Sequence, residues 1–120
     1  MTKFSDGVAA SDIKKHIFIV SINKELLEKF KMCCLESKTH MNLIIVLSIQ
    51  QYINGTLHLE RDAILRWKMD QGEQENFSLV CNNDVRLTFK KKCKNEGYFV
   101  KYVLMALIER YVSKRDMLIY

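Results

Sequence analysis

The feature that most limits what this chain can fold into is that it matches itself. Sliding the 120 residues by 59 positions aligns residues 18–53 with residues 77–112 without a gap. Seven identities fall in that window: Phe18/Phe77, Asn23/Asn82, Phe30/Phe89, Lys31/Lys90, Cys34/Cys93, Ile49/Ile108 and Tyr52/Tyr111. Composition alone gives about two, at roughly 1 in 18 per position. Conservative pairs such as Val20/Leu79, Glu25/Asp84, Leu26/Val85, Ile44/Val103 and Ile45/Leu104 run in the same register. Chance alignment of two amphipathic helices is the plainer explanation, but the match crosses an extended stretch, a turn and two helical stretches together.

Each copy reads the same way. A short extended piece comes first, residues 17–22 and 76–81; in the second, Phe77, Leu79 and Cys81 alternate with Asn76 and Ser78 at the period of a half-buried strand. Asn23 and Asn82 stand where a side-chain oxygen can cap a helix. A first helix follows, with Leu26, Leu27, Phe30 and Cys34 on one face in the first copy and Val85, Phe89 and Cys93 in the second. The chain turns around Lys38 and Gly97, and a more apolar second helix spans about residues 42–53 and 101–112. Between the copies, Thr56 is placed to cap a further helix over residues 57–69, whose apolar content is Leu57, Ile64, Leu65 and Trp67, with Trp67 as a lid over the core edge. The expected organisation is an arm (1–14), a first unit (15–54), a connector with a helix (55–75), a second unit (76–113) and a tail (114–120), with 15–113 forming one domain. With no proline and only 4 glycines, a loop-rich β-sandwich is a poor candidate.

Several classes of function are disfavoured. The longest apolar run, residues 43–47, is far short of the about 20 residues that span a bilayer. Residues 1–15 carry Lys3, Asp6 and Asp12 and no apolar stretch of the kind a secretory signal needs. Cys33, Cys34, Cys81 and Cys93 form no metal-binding or redox pair and read as reduced thiols, which points to a cytoplasmic protein. His16, His40 and His58 lack ligand partners at useful spacing, so neither a metal nor another cofactor is expected, and no catalytic motif is visible. The formal charge of +5 is uneven, with 7 basic and 6 acidic side chains in residues 1–60 against 12 and 8 in residues 61–120. That favours a polyanionic partner mildly.

The stretches Phe18-Ile-Val-Ser-Ile22, Lys24-Glu-Leu-Leu-Glu-Lys-Phe30 and Leu43-Ile-Ile-Val-Leu-Ser-Ile-Gln-Gln-Tyr-Ile53 resemble the ribbon-helix-helix family, Arc-type repressors included. The second copy repeats the pattern more weakly in Phe77-Ser-Leu-Val-Cys81, Asp84-Val85, Phe89 and residues 103–112. The resemblance implies a mainly α fold with a two-stranded antiparallel ribbon, formed here by two tandem units as an intramolecular pseudo-dimer. Duplicated single-chain versions are similar to accessory proteins of conjugative-plasmid relaxosomes, which bind near a transfer origin or repress transcription. A non-enzymatic DNA-binding protein, with double-stranded DNA as partner, is therefore the expected function, and further self-association is left open.

In that family the ribbon enters the major groove and its outward side chains read bases. Carried over, the inward residues are Phe18, Val20, Ile22, Phe77, Leu79 and Cys81, and the readers are Ile17, Ile19, Ser21, Asn76, Ser78 and Val80. Three of those readers are aliphatic, suited either to thymine methyls or to a protein partner on the ribbon face. Phosphate contacts would come from the start of each second helix, at Thr39, His40 and Asn42 with Thr39 or Asn42 as cap, and at Lys101. Lys14, Lys15, Arg86, Lys90, Lys91, Lys92 and Lys94 would add further phosphate contacts, although a lysine run such as 90–94 is also what a solvated helix face looks like.

Overall fold

Two short segments with apolar residues at every second position hide that row only by pairing and covering one face. They do so in the computed structural model, which describes residues 15–119 and their side chains from 16 to 114. Strands β1 (Lys15–Asn23) and β2 (Gln74–Asn82) form a two-stranded antiparallel sheet. Its register places Ile17 opposite Val80, Ile19 opposite Ser78 and Ser21 opposite Asn76. Ile19 and Ser78, the central pair, are separated by the same 59 residues as the sequence repeat. Both strands run beyond the expected 17–22 and 76–81, because backbone pairing continues into polar flanks where the alternation has stopped.

Five helices complete the fold of the described residues: α1 (Lys24–Ser37), α2 (Met41–Asn54), α3 (Arg61–Met69), α4 (Asn83–Glu96) and α5 (Val100–Ile119). The starts of β1, α1 and α2 each recur 59 residues later as the starts of β2, α4 and α5. Local chemistry fixes these starts. Asn23 Oδ1 accepts from the Leu26 N–H at 2.8 Å, and Asn82 Oδ1 from the Asp84 N–H at 2.7 Å. Glu25 and Asp84 add negative charge in the first turns, where the helix dipole favours it. Both helices end in the left-handed region, at Lys38 (φ 57°) and Gly97 (φ 86°), whose N–H groups return to carbonyls of the last turn. Glycine adopts that geometry freely; Lys38 does so against the repulsion of its Cβ.

Packing runs across the halves. α1 lies against α5, and α2 against α4. Phe30 meets Tyr111 edge-to-face with ring centres 5.7 Å apart, and Phe89 meets Tyr52 in the same way at 6.0 Å. Both phenylalanines are wholly buried, beside Ile22, Ile45, Ile49 and Leu79. Residues 102–108 of α5 are buried on every side, which makes this helix the centre of the core. α3 crosses α5, burying Ile64 and pairing Arg66 with Glu109. Trp67 packs half-buried at the core edge with the Arg66 guanidinium 5.4 Å from its ring centre.

Three expectations are corrected. The connector helix begins at Arg61 rather than residue 57: Leu57 and Leu59 are both buried from a non-helical stretch, and period-two burial is incompatible with a helical face. Thr56 does not cap that helix, since its hydroxyl is turned back to Asn54 Oδ1. Residues 114–119, expected as a tail, continue α5, because no proline or glycine interrupts it. The expected arm, 1–14, lies outside the described residues.

The left-handed Lys38 yields a direct test. Lys38→Gly should raise stability by about 0.5–1 kcal/mol in urea unfolding, the relief of a Cβ at positive φ. Phe30→Ala and Phe89→Ala should each cost about 3–5 kcal/mol, and comparable losses from the two halves are the expected result of a shared core.

Candidate nucleic-acid interface

The sheet has one covered and one open face. Val20, Ile22, Leu79 and Cys81 are buried and Phe18 and Phe77 partly so, while Ile17 is 68% and Ile19 63% exposed. Asn76, Ser78 and Val80 are exposed and Ser21 is half-buried. Cross-strand pairing grades this open row: Ile17 with Val80 makes an apolar end, Ile19 with Ser78 the middle, and Ser21 with Asn76 a polar end. All six sequence-predicted readers therefore share one surface.

α2 touches β2 and α5 touches β1. Asn42, in the first turn of α2, donates from Nδ2 to the Val80 carbonyl at 2.8 Å and accepts from the Val80 N–H at 2.7 Å. It thereby closes an edge of β2 that would otherwise present unpaired backbone groups. The expected capping roles of Asn42 and Thr39 are thus corrected. Asn42 is taken up by the strand edge, and the Thr39 hydroxyl pairs with Ser37 Oγ at 3.0 Å. The residue preceding α2 is His40, which makes no side-chain capping bond. The first hydrogen bond inside α2 runs from the Ile44 N–H to the His40 carbonyl, so the amides of Met41, Asn42 and Leu43 point out of the helix end beside the ribbon. At the corresponding place on α5, Lys101 Nζ reaches Gln74 Oε1 at 3.0 Å, at the start of β2.

The remaining predicted cations divide. Lys90, Lys91 and Lys94 are exposed on α4 and free to meet an anion. Lys92 is engaged: it pairs with Glu96 at 3.4 Å and stands 5.0 Å from the centre of the Tyr52 ring. Tyr52 lies at the far end of α2 from Asn42, about 15 Å along the axis at 1.5 Å per residue, so Lys92, with Lys91 and Lys94 beside it on α4, stands back from the ribbon. Arg86 is held by Asn83 Oδ1 through Nε at 3.2 Å and Nη2 at 2.9 Å. The Lys14 position and the Lys15 side chain fall outside what the structure describes. Lys38, exposed two residues before His40, was expected as a turn residue but not as a candidate anion contact; its alignment with Gly97 places it beside a helix start.

The thiols carry no visible chemistry. All four cysteines are buried. Burial, reinforced by Glu96, pushes the Cys93 thiol up to about 12, and burial raises Cys81 against the opposing pull of Arg86. Burial also raises the Tyr52 hydroxyl, assisted by its hydrogen bond to Glu96. Among the described residues no group of three or more His, Cys, Asp or Glu side chains is arranged to hold a metal, and no helix is long and apolar enough to cross a membrane. Compared with known proteins, the chain matches no family model, no curated protein and no solved structure.

Because the folded pKa of Cys93 lies above its ordinary value of 9.0, its contribution to stability is complete below pH 9 and is lost as pH rises toward 12. The urea midpoint should fall across that window, with Tyr52 acting in the same direction. Ellman's reagent at pH 8 should leave the folded thiols unmodified and titrate them only after unfolding.

Proposed function

We propose that the chain is a tandem pair of ribbon-helix-helix units folded as one pseudo-dimer, and that it binds double-stranded DNA. One observation carries this reading: the outer row of a two-stranded antiparallel ribbon stands uncovered while an uncapped helix start is fastened to its edge through Asn42 and Val80. A ribbon of this width fits a major groove of about 12 Å, and the adjoining amides point where a phosphate would pass. The pseudo-twofold reading draws support from the Ile19–Ser78 pair, which the 59-residue repeat relates to each other, and from the exchange of Phe30–Tyr111 for Phe89–Tyr52.

In this reading Asn76, Ser78 and Ser21 hydrogen-bond base edges, while Ile17, Ile19 and Val80 contact thymine methyls. Lys38, His40 and Lys101 border the groove, and Lys90, Lys91 and Lys94, farther back on α4, meet phosphates beyond the ribbon. The two strands present different side chains, so one molecule reads an asymmetric site rather than a palindrome. Transcriptional repression, or assistance to a relaxosome at a transfer origin, is the role such binding would serve. A second reading rests on the same row: Ile17 and Ile19 are exposed beside Val80, an apolar stripe suited to a protein that takes the place of DNA on the ribbon face.

Fluorescence anisotropy with labelled duplex DNA separates the two. Binding should weaken about 100-fold between roughly 50 and 200 mM salt if four phosphates are neutralised. Replacing Lys90, Lys91 and Lys94 together by Glu should abolish it without changing the circular dichroism spectrum. An absence of binding at the lower salt sinks the DNA reading and leaves the protein one.

A further inference from the structure

α2 and α5 do not close completely on one another. Between them lies a groove of about 310 Å³, floored by Ile44, Leu107 and Tyr111 and walled by Leu47. Leu47 is 47% exposed, an apolar side chain presented to solvent from the groove wall. Arg110 and Lys114 stand along the α5 side. The other lining residues, Ser48 and Gln51, are uncharged, so among the described residues no carboxylate lines the groove. Neither Arg110 nor Lys114 is joined in an ion pair among the described residues; the neighbouring Glu109 is taken by Arg66. On α5 the groove lies away from the ribbon, whereas on α2 its near end, Ile44, follows Asn42 by two residues. Lys101 marks the ribbon end of α5, and Lys114 lies about 20 Å further along the helix axis.

We propose that this groove is a docking site for an acidic amphipathic helix of a partner protein. The lining residues set the partner's pattern. On α2 they fall at 44, 47, 48 and 51, and on α5 at 107, 110, 111 and 114, a single helical stripe on each wall. Each stripe is about 11 Å long, the length of two turns. A partner helix presenting apolar residues at i, i+3, i+4 and i+7 covers Leu47 and the apolar floor, as in other helix-in-groove complexes. Carboxylates flanking that apolar face meet Arg110 and Lys114, whose attraction to acids is uncompensated within the described chain. A duplex is a poor occupant, because its phosphates would have to cover Leu47 and leave the floor unfilled. The proposal does not rest on the DNA reading, whose contact on α5, Lys101, lies at the opposite end of that helix from Arg110 and Lys114.

The test uses the full chain and fluorescein-labelled synthetic peptides of about 14 residues, helical by design, with leucines on one face and glutamates flanking them. Anisotropy should saturate with the glutamate peptide and weaken at least about tenfold for the same peptide carrying lysines in place of glutamates. R110E/K114E should reverse that preference while the circular dichroism spectrum stays unchanged, since both side chains are exposed. Leu47→Asp should weaken the glutamate peptide without restoring the lysine one. Failure of the glutamate peptide to bind overturns the proposal, as does equal binding of both peptides or indifference to R110E/K114E. A dimer in sedimentation velocity that Leu47→Asp dissolves also overturns it, assigning the groove to a second copy. So does loss of duplex DNA binding on R110E/K114E, which would assign those cations to phosphate.

Discussion

The structure depends on burial that neither half of the chain achieves with its own residues. A two-stranded sheet with helices on one side has too little interior to stand alone. Here β1 obtains its partner from residue 74 onward, α1 obtains its cover from α5, and the ring of Phe30 rests on Tyr111 while that of Phe89 rests on Tyr52. Removing one of these rings opens a cavity facing the other half, so the consequence is shared. The same requirement leaves the opposite face of the sheet bare. Every covering helix is used on the inner side, and Ile17, Ile19 and Val80 stay in solvent.

The three aliphatic side chains lie together on that open face. The ribbon edge is guarded even though its face is not. Asn42 satisfies both backbone groups of Val80, which removes the usual invitation to pair with a stray strand. The cationic side chains show a similar division. Lys92 and Arg86 are held within the fold by Glu96, Tyr52 and Asn83, whereas Lys38, Lys90, Lys91, Lys94, Arg110 and Lys114 project outward. Charge in this protein is therefore partly structural, and only the outward group is available to a partner.

Much of the architecture could be read from the chain directly, for physical reasons that can be named. The strand alternation, the Asn23 and Asn82 caps, the turn at Gly97 and the apolar face with Phe30 and Phe89 are all local signals, each set by residues within a few positions of one another. Where burial outweighed local preference the reading failed. Leu57 and Leu59 were expected in a helix but fill the core from a non-helical stretch, whereas Trp67 lies at the core edge as expected. Asn42 resembles a cap in sequence and is a cross-chain bridge in space, since its partner Val80 lies 38 residues away. Lys38 adopts a glycine-like turn conformation without being glycine, because the neighbouring helices fix the path of the chain.

By itself, the sequence determined the two strands, the helices that directly follow them and which side of each is apolar, and it carries the match between its halves at an offset of 59 residues. Those properties follow from periodicity and capping, which act over a few residues. Only the tertiary structure decided which lysines remain free, that Asn42 bridges to the strand rather than caps, where α3 begins, and that α2 and α5 leave a basic-rimmed groove between them. Such outcomes depend on contacts between groups far apart in the chain, and a single side chain's surroundings are set by packing rather than by its neighbours in sequence.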